Sequence, residues 1–550
     1  MTSAFLARCG LLVLASALAA CTPGVPLRES AGPVPAVGSP GACSGLATHR
    51  AERLRITQAE WLGDGAAHAP ASPGVARGDP LPAHCLVRGQ LDERVGSDGE
   101  RYHAAFELRL PAAGNGRLLH QGNEGLGGEV PMAVGRNSGA RGWADNGLRR
   151  GFATVSGNSG HSAPGPGFGL DAQARIDHAW RAHWRTASTA RALFERFYGQ
   201  RPQRSYFLGC GSGGRQGMMF TQRFPDLYDG VLAVSPSMRE SQGAAIGAAW
   251  MLQRLLEVAP PGTDGRPVLS QALSDVQLAR LAREVVERCD AADGLEDGLV
   301  SDTALCRIRP QRLLCPGAGE GCLSGAQAVA LARAMAGAVN PEGGRLYFPW
   351  PWDPGLAAPG WRAWNLGSSP GGVPDALHAT QTSGAIGFVF VTPPDPTLTA
   401  ADFDFGRDPL RMESAHRVHG AADDVVLKGF QQRGGKLMLV HGMADPVNSA
   451  YESADYQARV NAAHGDRAAA RFVRTFLVPG MNHCQGGPTT DDFDGLSALV
   501  DWVENERAPE RIVARGSTAM PGIERPLCPW PRIARYRGGD PAKADSFECR

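Results

Sequence analysis

The sequence predicts an α/β fold whose parallel sheet is interrupted by a long insertion. Three observations carry that expectation. Short apolar runs alternate with an amphipathic helical stretch and glycine-marked turns up to residue 234. One of those runs passes straight through a Gly-rich turn into a helix at 205–220. The same strand pattern then resumes at Lys436, after a stretch of different composition.

Phe106–Leu110, then Leu118 and Leu119, are apolar runs between Gly/Asn turns and are expected as strands, as is Phe152–Val155. Residues 171–198 place Ile176, Ala179, Trp180, Ala187, Ala190, Leu193, Phe194 and Phe197 at helical spacing, with Gly199 as the stop. Ser205–Leu208 is a strand, Gln216–Phe224 a helix and Val231–Val234 the next strand. Strand–helix–strand order of this kind needs crossover connections and a parallel sheet. Lys436–Val440 and Phe472–Val478 extend it. Residues 240–415 are rich in Pro, Gly and Trp and carry four cysteines, which suggests an inserted lid domain between core segments 43–239 and 416–550.

The chain has 550 residues, 43% of them hydrophobic, with 55 Lys plus Arg against 55 Asp plus Glu. That length suits a main domain plus an insertion. The balanced charge gives no electrostatic reason to expect nucleic acid or an anionic membrane surface as partner. Arg8 followed by the apolar run Leu11–Ala20 reads as a signal peptide over 1–20, too short to span a bilayer as a mature helix. Leu18-Ala19-Ala20-Cys21 looks like a bacterial lipobox, making Cys21 a candidate lipid anchor; an ordinary signal peptide is the alternative. Residues 21–42 read as a Pro/Gly-rich tether. The expected location is therefore periplasmic or lipid-anchored at the outer membrane, otherwise secreted.

Of 12 cysteines, Cys9 leaves with the signal and Cys21 is the lipid candidate. Ten remain, and in an exported chain five disulfides are the natural use. Sequence does not fix their pairing. Proximity suggests Cys43–Cys85, Cys289–Cys306, Cys315–Cys322 and Cys528–Cys549, leaving Cys210 and Cys484. No CxxC pair or Cys/His cluster has zinc spacing.

The chemistry centres on Tyr206-Phe207-Leu208-Gly209-Cys210-Gly211-Ser212-Gly213-Gly214-Arg215-Gln216-Gly217. A nucleophile elbow needs a strained strand-to-helix turn flanked by small residues, and the helix start then offers N–H groups to an oxyanion. A Gly-rich turn that merely lets strand and helix approach is the plainer reading. Two later sites favour the elbow. Asp445 follows the strand ending at Val440, and His483 sits on a Gly-rich loop after the strand ending at Val478. Elbow, Asp, His is the chain order of α/β-hydrolase triads, so Asp445 is the expected orienting acid and His483 the expected base. His441 is a second histidine, more consistent with turn structure.

Gly209-Cys210…Gly213-Gly214-Arg215-Gln216-Gly217 followed by Gln222-Arg223-Phe224-Pro225 and Tyr228-Asp229-Gly230, together with Pro479-Gly480-Met481…His483-Cys484…Gly486-Gly487, resembles the tannase/feruloyl esterase family, which includes the mono-hydroxyethyl terephthalate hydrolases. The likeness covers roughly residues 43–550, with Phe403-Asp404-Phe405…Arg407-Asp408 near the end of the insertion. It implies an α/β-hydrolase fold with a large inserted lid, a serine esterase acting on small aromatic acyl esters, and a Cys210–Cys484 disulfide beside the catalytic residues.

The chain also departs from the family. The family pattern Gly-Cys-Ser-x-Gly-Gly reads here Gly209-Cys210-Gly211-Ser212-Gly213-Gly214, which puts a glycine at the nucleophile's own position. Ser212 is the candidate nucleophile one residue on. A non-catalytic ligand-binding lipoprotein is the alternative. In Gln121-Gly122-Asn123-Glu124-Gly125-Leu126-Gly127-Gly128, which resembles the family's oxyanion loop, Glu124 stands where Gly is common.

Cys289-Asp290-Ala291-Ala292-Asp293-Gly294-Leu295-Glu296-Asp297-Gly298-Leu299 is a tight acidic loop of the kind that offers hard oxygens to calcium, though two Asp-Gly turns account for it as well. The family resemblance implies a structural Ca²⁺ held by Asp290, Asp293 and Asp297 with the carbonyls of Leu295 and Leu299. Trp350, Trp352, Trp361, Trp364, Phe388 and Phe390 of the insertion are candidates for an aromatic pocket or for core, and none is assigned.

Overall fold

The computed structural model describes residues 36–69, 78–136, 145–162, 165–316 and 321–550. The signal peptide and the Cys21 lipobox lie outside these residues, as does the first part of the tether. Regular structure is already present ahead of the tether's expected end at residue 42. Ala36–Val37 pairs with Ala113–Gly114, and Ser39 caps a helix over Pro40–Leu46 with Pro in its first turn. A side-chain acceptor at the cap and a proline that needs no N–H partner start that helix, and Cys43 ties it to Cys85.

Nine strands make the central sheet: β1 Leu54–Leu62, β2 His84–Val95, β3 Arg101–Pro111, β4 Arg117–Gln121, β5 Ala153–Gly157, β6 Arg204–Cys210, β7 Gly230–Val234, β8 Lys436–Gly442 and β9 Val473–Val478. Their spatial order is β9-β8-β7-β6-β4-β5-β3-β2-β1. The six strands β4 to β9 are joined by parallel pairings, while β1, β2 and β3 extend the sheet as an antiparallel meander. β6 to β8 read as unbroken apolar runs because both faces are covered.

Alternate side chains divide between the faces. Phe207, Leu437 and Leu439 pack with Met218, Phe220, Tyr228 and Tyr456 on one side. Leu208, Leu232, Val234, Met438 and Val440 pack with Leu496, Leu499 and Trp502 on the other. Each such fully buried side chain contributes about 1.5–3 kcal/mol. The covering helices are α1 Ala182–Tyr198, α2 Ser212–Arg223, α6 Ala450–His464 and α7 Gly495–Asn505, with α3 Ala245–Leu256, α4 Asp275–Cys289 and α5 Gly325–Met335 in the insertion.

The helix expected over 171–198 is continuous but widens into a π-helical turn at Asp177–Arg181 before α1. The helix expected from Gln216 begins four residues earlier, at Ser212. Between β7 and β8 none of the described residues joins the central sheet. That segment supplies most of an apolar cluster around Trp250, Leu281, Leu331, Tyr347, Trp361 and Phe390, which Tyr102, Phe168 and Ala174 join from the core segment. Among the described residues there are five disulfides, Cys43–Cys85, Cys210–Cys484, Cys289–Cys306, Cys315–Cys322 and Cys528–Cys549. Among the described residues no helix is long and apolar enough to cross a membrane.

Candidate active site

β6 passes into α2 through the single residue Gly211, which takes φ 56° and ψ −116°. That left-handed conformation is strained for any residue with a Cβ. A Cβ at Gly209 would stand 2.5 Å from the backbone of Gly213, so bare backbone is what lets strand and helix meet at this sharp an angle. The start of α2 leaves backbone N–H groups without intrahelical partners at the apex.

His483 faces that apex. An ideal Cβ on Gly211 would lie 2.7 Å from His483 Nε2. Residue 211 is therefore the position whose side chain addresses the base. On its other edge the ring meets Asp445, with Nδ1 2.9 Å from Oδ2. Asp445 is buried, and its Oδ1 accepts the N–H groups of Val447 (2.8 Å) and Asn448 (3.2 Å). His441 Nε2 lies 3.3 Å from the same Oδ2. Burial pushes the Asp445 carboxyl up, but the charge and hydrogen bonds of His483 and His441 outweigh it and hold the group well below the usual carboxylate range. For His483, burial lowers the imidazole, and the Asp445 charge and hydrogen bond, with a further pull from Glu124, overcome this and raise it above its ordinary value. The Asp445 and His483 of the sequence reading are thus brought together. His441 is held by Ser453 Oγ and the Asn448 carbonyl.

Ser212 is placed differently. Its Oγ donates to Glu240 Oε1 at 2.8 Å, not to His483. Glu240 Oε2 in turn lies 2.9 Å from Nε of Arg215, a fully buried guanidinium whose Nη1 donates to the Ala179 carbonyl at 3.0 Å. Glu240 sits 28 residues from Ser212, at the start of the insertion, and nothing in the local sequence pattern marks the pair.

The His483 loop is fastened from both sides. Cys484 is bonded to Cys210, so the residues beside the base and beside the apex are covalently joined. Asp353 Oδ2 accepts the Gly480 N–H at 2.9 Å, and Asn482 Nδ2 donates to the carbonyls of Gly355 and Ala444. Asp353 is a supporting residue that the sequence did not reveal, since a lone Asp after a Trp carries no such signal.

Two hollows meet at His483. One of about 280 Å³ runs along Gln121, Gly122, Asn123 and Arg136. The other, about 360 Å³, is lined by Leu126, Ser212, Glu240, Trp364, His378 and Phe390. Glu124 borders both. Its side chain is 60% exposed and lies 3.5 Å from Arg136, while its N–H donates to Asn123 Oδ1. Of the insertion's aromatics, Trp364 approaches the base, with its ring centroid 6.3 Å from that of His483. Phe390 lines the same hollow, whereas Trp350 and Trp361 are buried in the insertion's core.

In the acidic loop Asp290 and Asp293 are buried. Asp290 Oδ2 accepts the Gly298 N–H, and its Oδ1 has no partner. Burial, and then the charges of Asp297 and Asp293, push the Asp290 carboxyl up to about 6 against the backbone hydrogen bonds of Gly298 and Asp297. Asp297 Oδ1 accepts the Leu299 N–H, and its Oδ2 is held by Arg525. The carbonyls of Leu295 and Leu299 accept no hydrogen bond from the described backbone. The orphaned buried Asp290 Oδ1 is the one feature here that suits a hard cation, whereas the loop's three carboxylates are not among the described groups drawn close enough together to hold an ion.

Residues 85–550 match the sequence model of the family described as tannase and feruloyl esterase. Mono(2-hydroxyethyl) terephthalate hydrolase of Piscinibacter sakaiensis is 40% identical over 534 residues, covering 88% of this chain and 87% of its own. Feruloyl esterase B of Aspergillus niger is 30% identical over 487 residues, covering 82% and 85%. Among solved structures, feruloyl esterase B from Aspergillus oryzae superposes with a TM-score of 0.77 at 24% identity, over 93% of this chain and 100% of that one. Tannin acyl hydrolase from Aspergillus niger gives 0.70 at 20% identity, over 94% and 96%. These two share the α/β-hydrolase fold expected from the sequence.

Proposed function

This chain belongs to the tannase and feruloyl esterase family, and on that footing we propose that it is a carboxylic ester hydrolase acting on small esters of aromatic acids. The observation that carries the reading is the Asp445–His483 pair aimed at the apex of the β6–α2 turn. Asp445 fixes the proton on Nδ1, which leaves Nε2 free to take a proton from an attacking oxygen and return it to the departing alcohol. The N–H groups at the start of α2 face the place where negative charge develops on the ester oxygen. Trp364 and Phe390 offer an aromatic wall for the acyl group. The family likeness gives no support to the non-catalytic alternative.

Three finer readings go with this one. Residues 240–415 serve as a lid that shapes the acyl pocket. A structural calcium ion sits in the loop of Asp290, Asp293 and Asp297 with the Leu295 and Leu299 carbonyls, supported by the orphaned Asp290 Oδ1. Bound there, it holds the insertion and takes no part in the chemistry. The chain is exported and anchored through Cys21, supported by the leader pattern and by ten cysteines consumed in disulfides.

The deciding experiment assays the purified chain against methyl ferulate, methyl gallate and mono(2-hydroxyethyl) terephthalate. Turnover of at least one is expected, with a loss on the order of 10²–10⁴-fold in His483→Ala. A folded wild-type protein that turns over none of them overturns the proposal.

A further inference from the structure

We propose that the oxygen attacking the ester is water itself, activated directly by His483, so that hydrolysis proceeds in one displacement without an acyl-enzyme. The inference rests on the ester-hydrolase reading above and concerns only which nucleophile that site uses.

Three features of the apex lead to it. First, residue 211 is the position that addresses the base, because a Cβ there would stand 2.7 Å from His483 Nε2, and it is glycine. The turn keeps the backbone geometry of a nucleophile elbow and supplies no nucleophile. Second, the hydroxyl next in line is committed elsewhere. Ser212 Oγ donates to Glu240 Oε1 at 2.8 Å, and Glu240 is itself paired with the buried Arg215. Turning Ser212 toward His483 would break its hydrogen bond to the Glu240 carboxylate, an unfavourable exchange. Third, no hydrogen bond joins His483 Nε2 to any described protein group, while Nδ1 is engaged by Asp445. The basic nitrogen opens onto the hollow that an ester would occupy. Water is the small oxygen nucleophile always present there.

The step balances. A water O–H loses its proton to His483 Nε2 as the oxygen bonds to the ester carbonyl carbon. The carbonyl π pair moves onto oxygen, facing the N–H groups at the start of α2. When that pair returns, the bond from carbon to the alcohol oxygen breaks, and the leaving oxygen takes the proton from Nε2. The products are the aromatic acid and the alcohol, and His483 is again neutral. Oxyanion stabilisation and binding alone leave on the order of 10³-fold catalysis when a serine nucleophile is absent. An intact base contributes a further factor on the order of 10²–10⁴. Two consequences distinguish this route from a covalent one. No acyl group accumulates on the protein, and serine-directed phosphonylating agents find nothing to label.

The test compares wild type with Ser212→Ala and Gly211→Ser on whichever aromatic ester the chain hydrolyses. Rapid-quench product release, intact mass after acid quench and peptide mapping after a fluorophosphonate are read in each. Expected for wild type are linear product release, no acyl mass and no phosphonate adduct. Ser212→Ala, checked for folding by its melting curve, is expected to stay active. In Gly211→Ser an initial burst and an adduct at position 211 are expected once the His483 ring shifts to relieve the 2.7 Å approach of a Cβ. An acyl or phosphonate adduct on wild-type Ser212 overturns the inference and leaves the ester-hydrolase reading standing. That readout does not depend on any variant folding. Absence of ester turnover in wild type sinks the reading beneath it, and the inference with it.

Discussion

His483 Nδ1 lies 2.9 Å from Asp445 Oδ2, and the carboxylate that receives it is fully buried. The opposite ring edge is thereby left as the basic one. Asp445→Asn presents an amide N–H to Nδ1 and favours the wrong tautomer. A fall in kcat on the order of 10³–10⁴-fold is expected with little change in the melting curve, measured by steady-state kinetics on the same ester.

The pH profile follows from the same pair. The base must be neutral to accept a proton, and Asp445 raises the His483 pKa above its ordinary 6.5. kcat/KM should therefore fall as pH drops through a value above 6.5. In Asp445→Asn the raising influence is lost while burial, which lowers the imidazole, remains. The acid limb of the residual activity should move to lower pH, and a limb that stays in place contradicts the assignment.

Trp364 stands closest to His483 among the insertion's tryptophans that the sequence left unassigned. Trp364→Ala should raise KM for an aromatic acyl ester about 3- to 10-fold, the range expected for one lost aromatic contact. A short aliphatic ester of the same alcohol should be affected much less, so the ratio of the two KM changes is the measurement.

Calcium should protect the chain from heat. At about 100 times its dissociation constant a bound ion stabilises by about 2.7 kcal/mol. Chelation should lower the melting temperature, added Ca²⁺ should restore it, and Asp290→Asn should remove the response. An identical melting curve with and without chelator counts against the site.

The double variant Cys210→Ser/Cys484→Ser releases the His483 loop from the turn. A stability loss of about 2–5 kcal/mol is expected in denaturant titration. Activity measured well below the melting range should fall as well, because displacement of the base by ~1 Å costs on the order of a hundredfold.

Much of this was legible in the residues. Leu437–Val440 and Val231–Val234 are unbroken apolar runs, and a strand covered on both faces cannot look otherwise. Asp445 and His483 each follow such a run, which fixes their place at one edge of the sheet. The glycine at 211 declared itself by departing from a pattern that its neighbours keep. What stayed hidden depends on contacts between distant segments. The Ser212–Glu240–Arg215 chain is created by the insertion folding back over α2, and no periodicity reports it. The π-helical turn at Asp177–Arg181 adds one residue to a helix without altering its apolar stripe visibly. The small sheet of Asp492–Phe493, Ile512–Arg515 and Glu524–Leu527 escaped notice because its strands are short and mixed in polarity.

The bond between Cys210 and Cys484 spans 274 residues of sequence, and the whole of the insertion lies inside that loop. The cystine ties the residue beside the base to the residue beside the apex across that whole span, but the enclosed segment also supplies Asp445 and the Asp353 and Gly355 contacts that hold the His483 loop. Sequence drift that spares those three positions can retune which acyl groups are accepted while the covalent tie keeps apex and base together. In a reducing compartment that tie would be lost and the same drift would bear directly on the chemistry.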